Sequence, residues 1–279
     1  MNHGWRSAEI AERLMPPPSL AAAWHTRGYY GTFSHNAKAV YQRYLGWYDA
    51  NPANLNPLPP VERARKYVEY MGGAQAIMAR ARVDFEAGDY RFVAEAVSHV
   101  VFADPADTAA RELAAAALEQ LGYVTESATW RNAYLLGAHE LRHAVPATTA
   151  RAPVSPDVVR AMSLDLFFDY LGVRLHGEKA DGKHLVVNWT FADLGREYML
   201  TLAHGALTYL ADRRSAEADV SVTLDRAVLD RLVLRELTLA DAQARGLVTV
   251  AGNAAGLAEL FSLLDDFTMM FPIVEPRRS

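Results

Sequence analysis

The spacing of apolar residues changes once along this chain, and that change limits its fold more than any other feature. From about Val61 to His143 apolar side chains recur every three or four positions, the stripe expected of one helix face. Glu62–Met71, Ala74–Glu86, Tyr90–Phe102, Thr108–Leu121 and Ser127–Arg142 read as helices, parted by Gly72-Gly73, Gly88-Asp89, Asp104-Pro105 and Gly122-Tyr123. Gly88 and Gly122 stand one tetratricopeptide period apart, about 34 residues, and FEAGDYRFVAEAVSHVVFADP runs close to that repeat. Stacked helical hairpins serving as a scaffold are the expectation. Ahead of them, SAEIAERL reads as a helix already under way, which PPPSLAAAW breaks, so Met1 looks like an opening in a larger design.

Past VPATTARAPVSPD (145–157), a Pro- and Thr-rich linker, the period falls to two. Pro156–Leu171 still reads as one amphipathic helix. KHLVVNWTFAD and REYMLTLAHGALTYLAD then alternate like strands, with Ala203-His204-Gly205 as a turn. ADVSVTLDRAVLDRLVL gives a strand and a helix starting near Thr223 and Asp225. LTLADAQARG is a short helix closed by Gly246, LVTVAG a strand, and NAAGLAELFSLLDDF a helix opened by Asn253. The predicted class is multi-domain α and α+β: helical hairpins over 1–146, a linker over 147–155, and helices on one face of an antiparallel sheet over 156–279. A small sheet covered by apolar helices can leave a slot between its layers. Phe167, Trp189, Phe191, Tyr198, Phe261 and Met269 are its candidate lining, with Phe168, Leu260 and Phe267 beside them, although the same pattern suits a dry core.

Charge and residue usage exclude several roles. A net charge of -5 offers no basic field for nucleic acid, and no apolar run approaches the roughly 20 residues of a membrane span. Without cysteine there is no disulfide framework and no thiolate chemistry. One motif argues for metal chemistry: His139-Glu140-Leu141-Arg142-His143 fits H-E-x-x-H, which on a helix sets two imidazoles beside a general base. Val145-Pro146 ends that helix directly afterwards, and Asp165 and Asp169 have no supporting pattern as a third ligand. The match is read as chance, and no metal or cofactor is assigned to this chain. His99, on an apolar helix, is expected to be a hydrogen-bonded core residue.

The stretch RGYYGTFSHNAKAVYQRYLGWYDANPANLNPLPP (27–60), and the ordered similarity that continues from it to GAHELR, resemble the alkylsulfatases of the metallo-β-lactamase superfamily. DAQARGLVTVAGN in the second half is similar to their C-terminal, sterol-carrier-like domain, more loosely. The resemblance implies a dimerisation domain followed by that C-terminal domain. It implies zinc only if a catalytic domain is supplied, since none of the nine histidines stands in an H-x-H-x-D-H run. A homodimer, a separate catalytic chain of the metallo-β-lactamase kind and an amphiphilic small molecule are the implied partners. In the YYGTFSHN turn it points to a tyrosine facing the sulfate: Tyr30, or Tyr29, with His35 beside it. The residues alone also allow these groups to pin the N-terminal segment to the hairpins. Compartment stays open: cytoplasmic as written, periplasmic or secreted if a signal lies upstream.

Overall fold

A computed structural model describes residues 1–145, 155–267 and 270–277 of the chain. They fall into two compact units. The first holds the residues up to the linker together with the C-terminal tail from Met270, and the second lies between them. The expected second domain therefore loses its last residues to the first unit, and the expected linker lies outside the described residues except for Ser155.

The first unit is all helix: α1 Ser7–Arg13, α2 Pro18–Ala21, α3 Phe33–Leu45, α4 Pro60–Tyr70, α5 Ala74–Glu86, α6 Tyr90–Ala103, α7 Thr108–Val124 and α8 Ala128–His143. The apolar stripe of α6 is the centre of its core. Val93, Val97, Val100 and Val101 are sealed against Ile77 and Met78 of α5 and Ala110, Ala114 and Ala117 of α7. Alanines along α7 keep that side thin enough for α6 and α8 to approach from both flanks. Side-chain caps fix the starts of the last two helices: Asp107 accepts from the Ala110 N–H, and Ser127 from the Trp130 N–H. Gly122 does not break α7, contrary to the sequence reading. It lies buried inside the helix, where an added Cβ would meet Leu135 Cδ2 of α8 at 2.8 Å, so glycine serves close packing there.

The second unit runs α9 Pro156–Ala161, α10 Leu164–Arg174, α11 Gly177–Ala180, β1 Leu185–Phe191, β2 Arg196–Ala203, β3 Ala206–Ala211, β4 Val220–Leu224, α12 Arg226–Val233, α13 Leu239–Ala244, β5 Val248–Gly252 and α14 Ala254–Ser262. The single helix expected over Pro156–Leu171 is two, because Ser163 leaves the helical conformation and its hydroxyl caps the Leu166 N–H at 3.1 Å. The sheet order is β3-β2-β1-β4-β5. It is mixed rather than antiparallel, since β4 runs parallel to β1. The segment after β3 crosses the sheet to the far side of β1, and buried Asn188 holds it through a pair of bonds with Ser215: Nδ2 to the carbonyl at 2.8 Å, and the Ser215 N–H to Oδ1 at 2.9 Å. Val187, Trp189 and Phe191 share one face of β1 and join Leu200, Val222, Leu224, Leu257 and Leu260 in one apolar core. Among the described residues no helix is long and apolar enough to cross a membrane.

Candidate functional site

A cavity of about 850 Å³ lies within the α+β unit. α10 supplies Phe167 and Leu171, the sheet supplies Trp189 and Val222, and the helices that follow supply Leu229, Leu257 and Phe261. Its wall is predominantly hydrocarbon because the inward face of the strands and the apolar sides of α10, α12 and α14 all turn toward it. Two of the cations in the wall are satisfied by the protein. Arg226 binds Asp230 at 2.8 Å and donates to the Val159 and Met162 carbonyls at 2.7 and 2.6 Å. Arg174 donates to the Asp265 carbonyl at 2.8 Å and to Asp266 at 3.0 Å. Arg235 also lines the cavity, is exposed, and forms no ion pair among the described residues.

Of the lining residues expected from sequence, Phe167, Trp189 and Phe261 border the cavity. Phe191 and Tyr198 do not; both are fully enclosed in the core around Phe168, whose ring lies 6.3 and 4.7 Å from theirs. Met269 lies outside the described residues. Phe267 lines the cavity too. The Tyr198 hydroxyl is held above the usual tyrosine range, first by burial and then by the negative charge of Asp165 on α10. Burial and Asp169 do the same for Tyr209. Among the described residues, the Trp189 indole Nε1 is buried without a hydrogen-bond partner. Hydrophobic pattern gave no sign of α12 residues such as Leu229 in the wall, because helix amphipathicity shows which face is apolar and not whether that face meets protein or a void.

In the helical unit, the turn around Gly31 is fixed by its backbone. The Tyr29 carbonyl accepts from the Ala128 N–H at 2.7 Å, and the Tyr30 carbonyl accepts from the Ser127 and Thr129 hydroxyls at 2.6 and 2.7 Å. Thr32 caps α3 by accepting from the His35 N–H, and His35 Nδ1 accepts from Trp130 Nε1 at 3.1 Å. The tyrosine rings are left outside this network, Tyr30 at 78% exposure and Tyr29 at 46%. Tyr29, Tyr30 and His35 thus stand close in the chain on an anchored turn, and the anchoring belongs to carbonyls rather than to the phenols.

The H-E-x-x-H segment is occupied with structural duties. Glu140 Oε1 accepts from the backbone N–H groups of Ile273 and Val274 at 2.8 and 2.9 Å, which docks the C-terminal tail on α8. Arg142 grips Glu112 and Glu119 of α7, and its hydrogen bond holds the Glu119 carboxyl below the usual range. The His139 and His143 rings lie 4.4 Å apart, but among the described residues no group of three or more His, Asp or Glu is placed to hold a metal. This donor set does not fit a zinc centre. His99 is half-buried and stacked on Tyr67, with centroids 4.5 Å apart; burial lowers its pKa, and the nearby Arg63 lowers it further.

Compared with known proteins, residues 6–144 match the family model for alkyl sulfatase dimerisation, and residues 152–276 that for the alkyl sulfatase C-terminal domain. An alkyl/aryl-sulfatase of Saccharomyces cerevisiae is 51% identical over 276 residues, and a linear primary-alkylsulfatase of a Pseudomonas species is 46% identical over 275. Each alignment takes in 99% of this chain but only 42% and 41% of the relative. Among solved structures, the stereoselective inverting sec-alkylsulfatase Pisa1 from Pseudomonas sp. superposes with a TM-score of 0.93 at 46% identity, covering 100% of this chain and 44% of its own. The chain thus spans well under half the length of each of these three relatives.

Proposed function

The chain belongs to the alkylsulfatases, of which it carries the dimerisation and C-terminal domains, and from that premise we propose that it self-associates through its helical unit and holds an amphiphile by its alkyl tail in the α+β cavity. The carrying observation is the cavity itself: about 850 Å³, within the roughly 300–1,000 Å³ usual for small-molecule sites, walled by hydrocarbon. Arg235 is the charge that would meet an anionic head group. The exposed rings of Tyr29 and Tyr30, with His35, are the groups that would face a sulfate brought to the helical unit. The exposed apolar side chains of the N-terminal segment, Met15, Trp24, Tyr44 and Trp47 among them, supply surface for self-association.

Calorimetric titration with alkyl sulfates of increasing length tests the tail-binding part. Burying each methylene contributes about 0.8 kcal/mol, so affinity is expected to rise roughly fourfold per carbon until the tail outgrows the cavity. Leu229→Trp, which fills the space from α12, is expected to cut dodecyl sulfate affinity at least about tenfold, each excluded methylene forfeiting the same increment. The absence of saturable heat below the micellar concentration would refute it. Sedimentation of the whole chain over a range of concentrations tests self-association, with a monomer throughout as the adverse result.

A second reading is favoured by the names of the relatives and by the fraction of their length spanned here: the same two domains acting as the C-terminal portion of a zinc-dependent alkyl sulfate ester hydrolase, whose ions are held elsewhere. A coding stretch for H-x-H-x-D-H, in frame ahead of Met1, separates the two.

A further inference from the structure

The fold leaves the two imidazoles at the end of α8 unused. His139 and His143 are exposed, and neither side chain forms a hydrogen bond or ion pair among the described residues. Their rings lie side by side, with centroids 4.4 Å apart. Leu141 is about 200° around the helix from each of them and is sealed in the core at 3% exposure, which turns both imidazoles outward. The other two residues of the segment hold the helix end in place. Glu140 binds the backbone of Ile273 and Val274, and Arg142 grips Glu112 and Glu119 of α7. The last turn is closed by the Ala144 N–H, which donates to the Glu140 carbonyl at 2.8 Å. The two rings are therefore spaced by a pinned helix and not by a loop, so a ligand that needs both finds them already ordered.

We propose that His139 and His143 chelate one Cu(II) ion on the outer face of α8, as two nitrogen donors with solvent in the remaining positions. Imidazoles one helical turn apart on the same face can meet a single metal ion. A catalytic zinc centre takes three protein ligands, and Glu140 is bound to the tail and not free to act as a base, so this site does not revive a hydrolase. Two imidazoles with water suit a tetragonal ion, and Cu(II) stands at the top of the divalent affinity order, ahead of Ni(II). Local charge favours a cation as well. The one guanidinium beside the pair, Arg142, is faced by two carboxylates, which leaves the surroundings negative.

The test titrates Cu(II) into the whole chain, followed by calorimetry and electron paramagnetic resonance. His3→Gln is carried throughout, because an amino terminus with an imidazole at the third residue chelates the same ion. One equivalent is expected to bind above background, with nitrogen splitting from two imidazoles. His139→Gln and His143→Gln should each lower the affinity roughly a hundredfold, the gain of holding two donors on one scaffold, and Ni(II) should bind more weakly than Cu(II). Both side chains are exposed, so the circular dichroism of the variants should match that of the parent. Should either variant fail to fold, substoichiometric Cu(II) on the unsubstituted pair gives the same reading, by broadening the amide signals around residues 139–143 before all others. An affinity unchanged in either variant, binding no stronger than in the double variant, or broadening that begins elsewhere overturns the inference.

Discussion

Replacing Arg111 by methionine is expected to lower the unfolding free energy by about 3–5 kcal/mol. Arg111 of α7 pairs with Glu275 of the C-terminal tail, and their side chains are 13% and 2% exposed. Taking two ions from water costs heavily, and their mutual attraction returns that cost only while both are present. The variant removes this cation from beside a carboxylate that is 2% exposed. The tail has one escape: it can lift away and rehydrate Glu275, giving up the bonds of Ile273 and Val274 to Glu140. The loss is then capped by the free energy of docking the tail, and the tail becomes accessible to carboxypeptidase. Denaturant titration gives the first quantity and digestion of the native protein the second. Arg111→Met combined with Glu275→Leu is expected to regain much of the loss, since neither member of this pair then has to be desolvated. A single-variant cost below about 1 kcal/mol, the scale of a surface pair, with an undigested tail, would contradict this account.

Phe168→Ala is expected to cost a similar amount, about 3–5 kcal/mol, in the other unit. The ring is 2% exposed and lies 5.3, 5.8, 6.3, 4.7 and 5.7 Å from those of Phe167, Trp189, Phe191, Tyr198 and Tyr209. Those separations fall in the range where aromatic pairs attract beyond simple burial. Truncation leaves a hole that five large rings on three strands and one helix cannot close without leaving their rotamers. Near-UV circular dichroism during thermal unfolding reads the outcome, and Phe168→Leu should cost clearly less. Equal losses for the two variants would mean that burial alone, and not the ring cluster, supports this core.

The helical half was readable because its signal is local. The three- and four-residue spacing from Val61 to His143 places α4 to α8 within a few residues of their observed ends. Gly122 misled because a glycine that lets Leu135 approach and a glycine that stops a helix look alike until the neighbouring helix is in place. Strand alternation is blind to direction, so β1 to β5 could be located while the parallel pairing of β1 with β4 could not. The break at Ser163 was a capping serine inside an otherwise continuous apolar stripe. In the cavity, Phe167, Trp189 and Phe261 were legible as one apolar surface. Depth was not: Phe191 follows Trp189 by two residues on the same face and lies beyond the wall. Glu140 had the least chance of being read, because its partners Ile273 and Val274 are 133 and 134 residues away in the chain.

Since residues 270–277 belong to the helical unit together with residues 1–145, the α+β unit is an insertion within that unit. Tension applied at Met1 and Arg277 would run through the helical unit alone while Glu140 and Arg111 keep the tail docked. The β-sheet would bear load only after that clasp gives way, in contrast to units strung end to end, which share the pull from the start.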